Sequence, residues 1–544
     1  MRCLGEKFKL WTDTHTGLLP LLACMVAWSG WFIWRTSFVF AGRRVFCLFE
    51  DAMVAMTYAR NLVEGHGLNW ARAGAPVEGF TSPLWTALLI PVNALPLALR
   101  DRGLLVQLLS LAILVANVLL VRRLTLRFFS TLSARHWMPA ALLTAFYYPL
   151  NHWALFGMES GLQALLTTAS VLLALDIVHR GQDRHRELLL LGAAACLLRS
   201  DMLPIVAAIQ VYVLAKGGLH ERRQRVHWGQ GLAGLAATVA GYSAFRWLYF
   251  KDVLSNTYYL ELYRIPLELR LMRGVFLLGT MVSEHLLVLA AVGIGLALLA
   301  RYRHDADGLA GRMALPASLF LIACAFSVYR GGDAGNLDLR LRANRFVVYV
   351  MPLVFVLFNA LINQVAGWIA ARQPDDDLAR RFFVTLATIL ALTVADGLWL
   401  AADVGGNWMA LLAALPPPEV KGEAELYARL RKLQGSIGPS GIVATSTAGI
   451  PAYFSEYQMI DLLGGNERHI ARLPPSIPLR PEDFMEYAPG RVKSDDPYVL
   501  ERYHPDAILD GGPGDRSRRL AAVGYRHVAE GDFWLREKRA AKGL

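Results

Sequence analysis

Eleven apolar stretches near bilayer length divide this chain, at residues 17–39, 103–121, 138–156, 160–178, 187–198, 203–215, 229–250, 274–300, 313–329, 347–366 and 382–402. A hydrocarbon layer about 30 Å thick is crossed by roughly 20 apolar residues wound as a helix. Backbone groups in lipid must pair within their own segment, so repeated stretches of this kind leave few alternatives to helical spans. The pattern predicts a polytopic α-helical membrane protein. The stretches 187–198 and 203–215 are short for a crossing and are expected to tilt or enter part-way. A further stretch at 84–99 is broken by Pro91 and Pro96, and is expected to lie as a juxtamembrane or re-entrant helix. The first stretch follows few basic residues and lacks a small-residue cleavage site, so a retained anchor is expected in place of a signal peptide.

Basic residues set the expected orientation. Arg122, Arg123 and Arg127 close the second stretch, Arg180, Arg184 and Arg186 follow the fourth, and Lys216, Arg222, Arg223 and Arg225 follow the sixth. Arg301 and Arg303 follow the eighth, and Arg372, Arg380 and Arg381 precede the eleventh. Under the positive-inside rule these segments and the N-terminus are cytoplasmic. The loops at 41–102, 251–273 and 330–346, and the chain from 403 onward, are then outside an inner (plasma) membrane. The same clusters account for the net charge of +11. No basic stripe alternates with aromatics, so nucleic acid is not an expected partner. The five cysteines show no metal spacing, and none follows Cys324, so the C-terminal region holds no disulfide.

The expected division is a transmembrane domain over 1–410 and an extracytoplasmic α/β domain over 411–544. In the latter, PPPEVKGEAELYARLRKLQGSIGPSG reads as a linker and an amphipathic helix ending at Gly435. IVATST reads as a buried strand, AILDGGPG as strand then turn, and GYRHVAEGDFWLREK as a closing hairpin.

Chemistry concentrates in the polar segment 48–85, where Glu50 and Asp51 stand shortly after the first membrane exit. Taking ionised carboxylates out of water costs several kcal/mol, so such a pair beside lipid points to a task. Neighbours on a helix project about 100° apart and cannot both face one ligand. One is expected to take a proton or bind a cation while the other caps the helix; the bland alternative is two solvated capping acids. His66 and Glu78 sit in glycine-rich loop sequence of the same segment. Arg199 and Asp201 fall between the two short stretches, where the guanidinium suits a phosphate, or else an internal ion pair with Asp201. Asn256, Tyr258, Tyr259 and Tyr263 could serve a sugar or simply form an interfacial aromatic belt. Asp333, Asp338, Arg340, Arg342 and Arg345 form a Gly-Gly-Asp loop rich in guanidiniums, which suits an anionic ligand or a solvated loop. No Walker, GxGxxG or HExxH sequence occurs, which argues against nucleotide-driven or zinc-hydrolase chemistry. Outside the membrane, where nucleotide sugars are absent, a sugar donor must be carried by lipid.

The segments FEDAMVAMTYARNLVEGHGLNW, VEGFTSPLW, GMES, LLRSDMLP, YFKDVLSNTYY, RGGD and GIPAYFSEYQMIDLLGGNERHIARLP occur in an order that resembles one group. That group is the GT-C glycosyltransferases that use polyprenyl-phosphate donors, similar to the terminal β-arabinofuranosyltransferases of mycobacterial cell walls. The resemblance covers nearly the whole chain. Glu50-Asp51 stands where a double aspartate is usual, and Arg-Ser-Asp at 199–201 where Arg-Pro-Glu is common. It implies a GT-C fold of about 11 spans and transfer of one sugar, such as arabinofuranose, from a polyprenyl phosphate to an extracytoplasmic glycan, lipid or protein. It further implies Asp51 as general base supported by Glu50, with Arg199 and Arg345 on the donor phosphate. Asn256, Tyr258 and Asp333 are candidates for sugar or acceptor contacts, and Asp461 for a cover over the cleft. A divalent metal at the acidic motif is compatible with the group but not required. A lipid-linked oligosaccharide polymerase or ligase, or a transporter of lipid-linked glycans, are the competing readings; transport predicts mid-span charges and an internal repeat.

Overall fold

A computed structural model of the protein describes residues 17–129, 136–216, 221–302, 308–333, 344–372, 418–476, 480–509 and 515–537. The expected span at 382–402, and the loop residues Asp338, Arg340 and Arg342, lie outside the described residues. The chain forms two compact units. One comprises Met1–Trp34, Gln107–Ala240 and Leu271–Leu415, and the other Arg35–Val106, Gly241–Arg270 and Pro416–Leu544. The second unit therefore takes in more than the C-terminal stretch.

The first unit is helical. Among the described residues, four helices are long and apolar enough to cross a bilayer: Leu18–Arg35, Leu99–Thr125, Ser160–Arg180 and Gly311–Arg330. The pair Leu267–Glu284 and Leu286–Ala297 makes a fifth if taken as one span, but its halves meet at 90°. At the break the Met281 carbonyl accepts from both the backbone N–H of His285 (3.2 Å) and its imidazole (2.9 Å). The expected span 138–156 is two short helices, Met138–Ala145 and Tyr148–Leu155. Pro149 explains the interruption: it lacks an amide proton, and its ring would crowd the carbonyl four residues back, at Ala145. The short stretches become His185–Leu198 and Leu203–Lys216, joined by a 3-10 turn at Ser200–Met202. At 14 residues each they reach only about 21 Å. Gly274 packs so tightly that a Cβ there would lie 2.4 Å from the Val328 carbonyl oxygen, the close helix approach that small residues permit.

The second unit opens with a hairpin that the hydropathy pattern does not reveal. Strands β1 (Ser37–Phe40) and β2 (Arg43–Phe46) pair antiparallel. Ala41 and Gly42, both at positive φ, form the two-residue turn whose twist suits a hairpin. Helix Glu50–Val63 follows, packed on Pro83–Ala94. The latter is 12 residues long with Pro91 inside, too short to cross. Helix Pro418–Gln434 stops at Gly435, and β3 (Ile442–Thr445) runs parallel to both β4 (Gln458–Asp461) and β5 (Ala507–Ile508). β6 (Tyr525–Val528) and β7 (Phe533–Arg536) close an antiparallel hairpin, giving the order β4-β3-β5-β7-β6. The α/β character expected for this stretch is present. Ala444, Ile460, Ile508, Leu520, Tyr525 and Trp534 form its core.

Lys493 ties this unit together. Its ammonium is fully buried and donates to the carbonyls of Tyr259 (2.6 Å), Tyr263 (2.9 Å) and Ala471 (2.9 Å). A buried cation is tolerated because all three protons find acceptors. Lys493→Met keeps the length but leaves three carbonyls without donors, and should cost about 3 kcal/mol. Thermal unfolding of the detergent-solubilised protein tests this; an unshifted midpoint would show that water replaces the lysine.

Candidate active site

The helix Glu50–Val63 begins at the acidic pair, with Phe49 in the cap position and no side-chain cap. The expectation that one carboxylate serves as helix cap gives way to a different arrangement. Glu50 turns to the chain after β3, where its Oε1 accepts the Ala448 N–H at 3.0 Å. Asp51, about 100° further round the helix, is exposed. Glu50 is half-buried, and burial, then the charge of Asp51, raises its carboxyl to about 7, against a partial lowering by the Ala448 N–H. Glu50 is thus the member of the pair whose proton is lost near neutral pH.

Behind the pair, Val77–Gly79 joins several elements of the same unit. The Tyr58 hydroxyl donates to the Val77 carbonyl (2.6 Å), accepts from the Gly79 N–H (2.9 Å) and lies 3.1 Å from Asn466 Oδ1. A Cβ on Gly79 would meet Asn466 Oδ1 at 2.0 Å, so only glycine fits. Glu78, buried, accepts from the Tyr242 hydroxyl (2.6 Å) and from both Nε and Nη2 of Arg246. Its carboxylate is thus engaged within the fold. Asn256 is likewise buried and donates to the carbonyls of Gly464 (2.7 Å) and Gly465 (2.8 Å). Asp461 accepts four hydrogen bonds, from the backbone of Leu463, Gly464 and Asn466 and from the Asn466 amide. Burial raises its carboxyl although those donors pull the other way.

Two further expected residues stand apart from the acids. His66 lies beyond the far end of the helix that Glu50 begins, about 20 Å along its axis. There it faces Arg72 (3.4 Å), which binds Glu64 at 2.7 Å. Tyr258 packs edge-on against Tyr259 at 5.6 Å. A shallow groove of about 480 Å³ lined by Glu467, Arg468, His469, Arg472, Leu473 and Tyr498 does not include the acid pair. Its cations are matched: Asp252 binds both arginines, and His469 faces Asp495 at 3.3 Å.

In the first unit the other expected residues gather round one ring. The guanidinium carbons of Arg199, Arg330 and Arg345 lie 5.8, 5.2 and 5.5 Å from the Phe346 centroid. Arg199 is buried and held on both sides, by Asp201 through Nε and Nη2 (2.8 Å) and by Glu159 through Nη1 (2.6 Å). The internal Arg199–Asp201 pair is therefore present, with Glu159 added. Arg345 pairs with the buried Asp333 at 3.2 Å. The turn leading to Asp333 is fixed by Gly331 and Gly332 at positive φ and by buried Arg273, which donates to the Gly331 and Asp333 carbonyls. Among the described residues no group of three His, Cys, Asp or Glu side chains converges as a metal site.

No family model matches this chain, and no curated protein matches it. The fold matches that of ArnT. The apo crystal structure of ArnT from Cupriavidus metallidurans aligns with a TM-score of 0.54, covering 95% of this chain and 97% of that one. At 12% identity the likeness to ArnT is one of fold alone.

Glu159 and Phe346 are missing from the residues that the sequence nominates. Glu159 had a signal, as a lone acid between the apolar stretches 138–156 and 160–178. Phe346 had none, since one aromatic beside an apolar stretch is ordinary. Removing the guanidinium in Arg199→Met leaves Glu159 and Asp201 facing each other without compensation. It should cost about 3–5 kcal/mol, read as a lowered unfolding midpoint. Full stability in that variant would mean the acids take up protons instead.

Proposed function

We propose that the protein is a membrane glycosyltransferase that moves one sugar from a polyprenyl-phosphate donor to a hydroxyl of an extracytoplasmic glycan, lipid or protein, with inversion. The observation that carries this reading is the asymmetric acid pair: an exposed Asp51 beside a half-buried Glu50 that accepts the Ala448 N–H. A GT-C architecture like that of ArnT supports it. So does the resemblance of the first polar segment, which also suggests arabinofuranose as the sugar.

In this reading Asp51 removes the proton from the acceptor hydroxyl. The hydroxyl oxygen bonds to the anomeric carbon as the carbon–oxygen bond to phosphate breaks, and polyprenyl phosphate leaves with the electron pair. A placed carboxylate base typically contributes about 10²–10⁴-fold. Protonated Glu50 keeps a second negative charge away from the base. Arg345 and Arg330 are assigned to the donor phosphate, where guanidiniums offset the charge developing on the leaving group. Arg199, with its donors already taken by Glu159 and Asp201, is assigned to holding Phe346. Asn256, Glu78 and Asp333 shape the loops, Tyr258 remains a candidate for acceptor contact, and the outward orientation follows from the basic clusters.

Asp51→Asn should abolish sugar transfer in membranes supplied with a polyprenyl-monophosphate donor, with normal expression and insertion. Near-normal turnover would remove Asp51 from the chemistry, and consumption of a pyrophosphate-linked oligosaccharide instead would favour a ligase. A pH series supplies a second test. Because Glu50 is raised above its unfolded value, the folded chain holds a proton that the unfolded chain has released between the ordinary carboxyl range and about pH 7. Its contribution to stability is present below that window and declines as pH rises through it. The donor-saturated rate should show an inflection near pH 7, and Glu50→Gln should erase it; an inflection that persists would assign it to another group.

A further inference from the structure

Resting on that reading, one residue that no part of it uses is linked to the acid pair through a chain of hydrogen bonds. Trp70 is buried, and its indole N–H donates to the Ala448 carbonyl at 2.9 Å. Ala448 in turn gives its own N–H to Glu50. The backbone of Trp70 is anchored to the acid pair's own helix, because the buried Asn61 amide donates to the carbonyls of Asn69 and Trp70, both at 2.9 Å. The hydrogen bonds therefore close a ring: Glu50 to Ala448, Ala448 to Trp70, Trp70 to Asn61, and Asn61 along its helix back to Glu50. Ala448 is thus gripped on both sides of its Cα, at the N–H of one peptide group and the C=O of the next. Gly449 permits this, since a Cβ there would come within 2.9 Å of the Glu50 carbonyl oxygen and 3.0 Å of Met53 Cβ. A second brace acts from the strand side, where the Thr447 N–H donates to the buried Thr445 hydroxyl at 3.1 Å.

We propose that Trp70 is a positioning residue for the acid pair: by holding the Ala448 carbonyl it fixes the backbone at Ala448, so that the Ala448 N–H stays on Glu50 and leaves Asp51 as the exposed carboxylate. A hydrogen bond to the ionised form lowers a carboxyl's pKa, so loosening the peptide should raise it. The charged groups whose fields reach Glu50 are Asp51 on its own helix and Asp461 and Arg491 from the C-terminal segment. None of these bonds to Trp70, so a shift caused by losing the indole N–H would travel through Ala448.

The test reads Glu50 without using activity. Infrared titration of the purified full-length protein follows the protonated carboxyl band that disappears in Glu50→Gln. In Trp70→Phe, which keeps an aromatic ring but loses the donor, the midpoint of that band should rise by about 0.5 pH unit. The pH inflection of transfer should move with it, and the KM for a polyprenyl-monophosphate donor should stay unchanged. A folded Trp70→Phe protein whose band titrates as in the unaltered protein overturns the proposal. If Trp70→Phe does not fold, Thr445→Val loosens the backbone one residue before Ala448, at the Thr447 N–H; an upward shift there supports the clamp, and an unshifted band overturns it. A shifted band in a protein whose transfer never responds to Glu50→Gln would sink the transferase role of the pair and leave the clamp standing.

Discussion

The contact between Gly79 and residues 465–466 sets the terms for the rest of the second unit. Two backbone segments distant in sequence approach to where any side chain would collide. Such an approach buries peptide groups, and buried peptide groups demand partners. The neighbouring side chains answer that demand: Tyr58 serves Val77 and Gly79, Asn256 serves Gly464 and Gly465, and Asp461 serves three backbone amides. Side chains that resemble a binding site in one dimension are here satisfying main chain in three.

The same logic sorts the charges. Glu78 and Arg199 are both buried, and each is engaged by a distant partner that its sequence neighbourhood does not announce: Arg246 and Tyr242 for Glu78, and Glu159, added to the adjacent Asp201, for Arg199. Buried ion pairs of this kind break even at best when intact, but are costly to break. They specify geometry more than they add stability. What distinguishes the acidic pair is its asymmetry. One member leans on a backbone amide, while the other faces outward from the first turn of a helix.

Much of the architecture was legible because its signals are local. The membrane character follows from apolar length, the helix at 418–434 from its amphipathic pattern, and the hairpin at 525–536 from alternation around a turn. The failures also have local causes. Pro149 divides one expected span, and His285 sits at a right-angled break in another, neither of which alters the mean hydropathy enough to register. The hairpin at 37–46 was hidden because the apolar run of the first helix continues straight into its first strand. β4 was missed because QMID is only four residues long and runs directly into Leu462-Leu463. For the candidate site, residue types nominate segments, but the choice between ligand contact and internal pairing depends on partners such as Trp70 and Glu159, which are far away in the chain or lack a motif.

The register of the short parallel pair has a bearing on how such chains can diverge. Thr445 lies opposite Asp461, so the two strands end level and each delivers a polar side chain to the loop it starts. A single insertion within β4 would turn Asp461 to the opposite face of the sheet and strip the 463–466 turn of its acceptor.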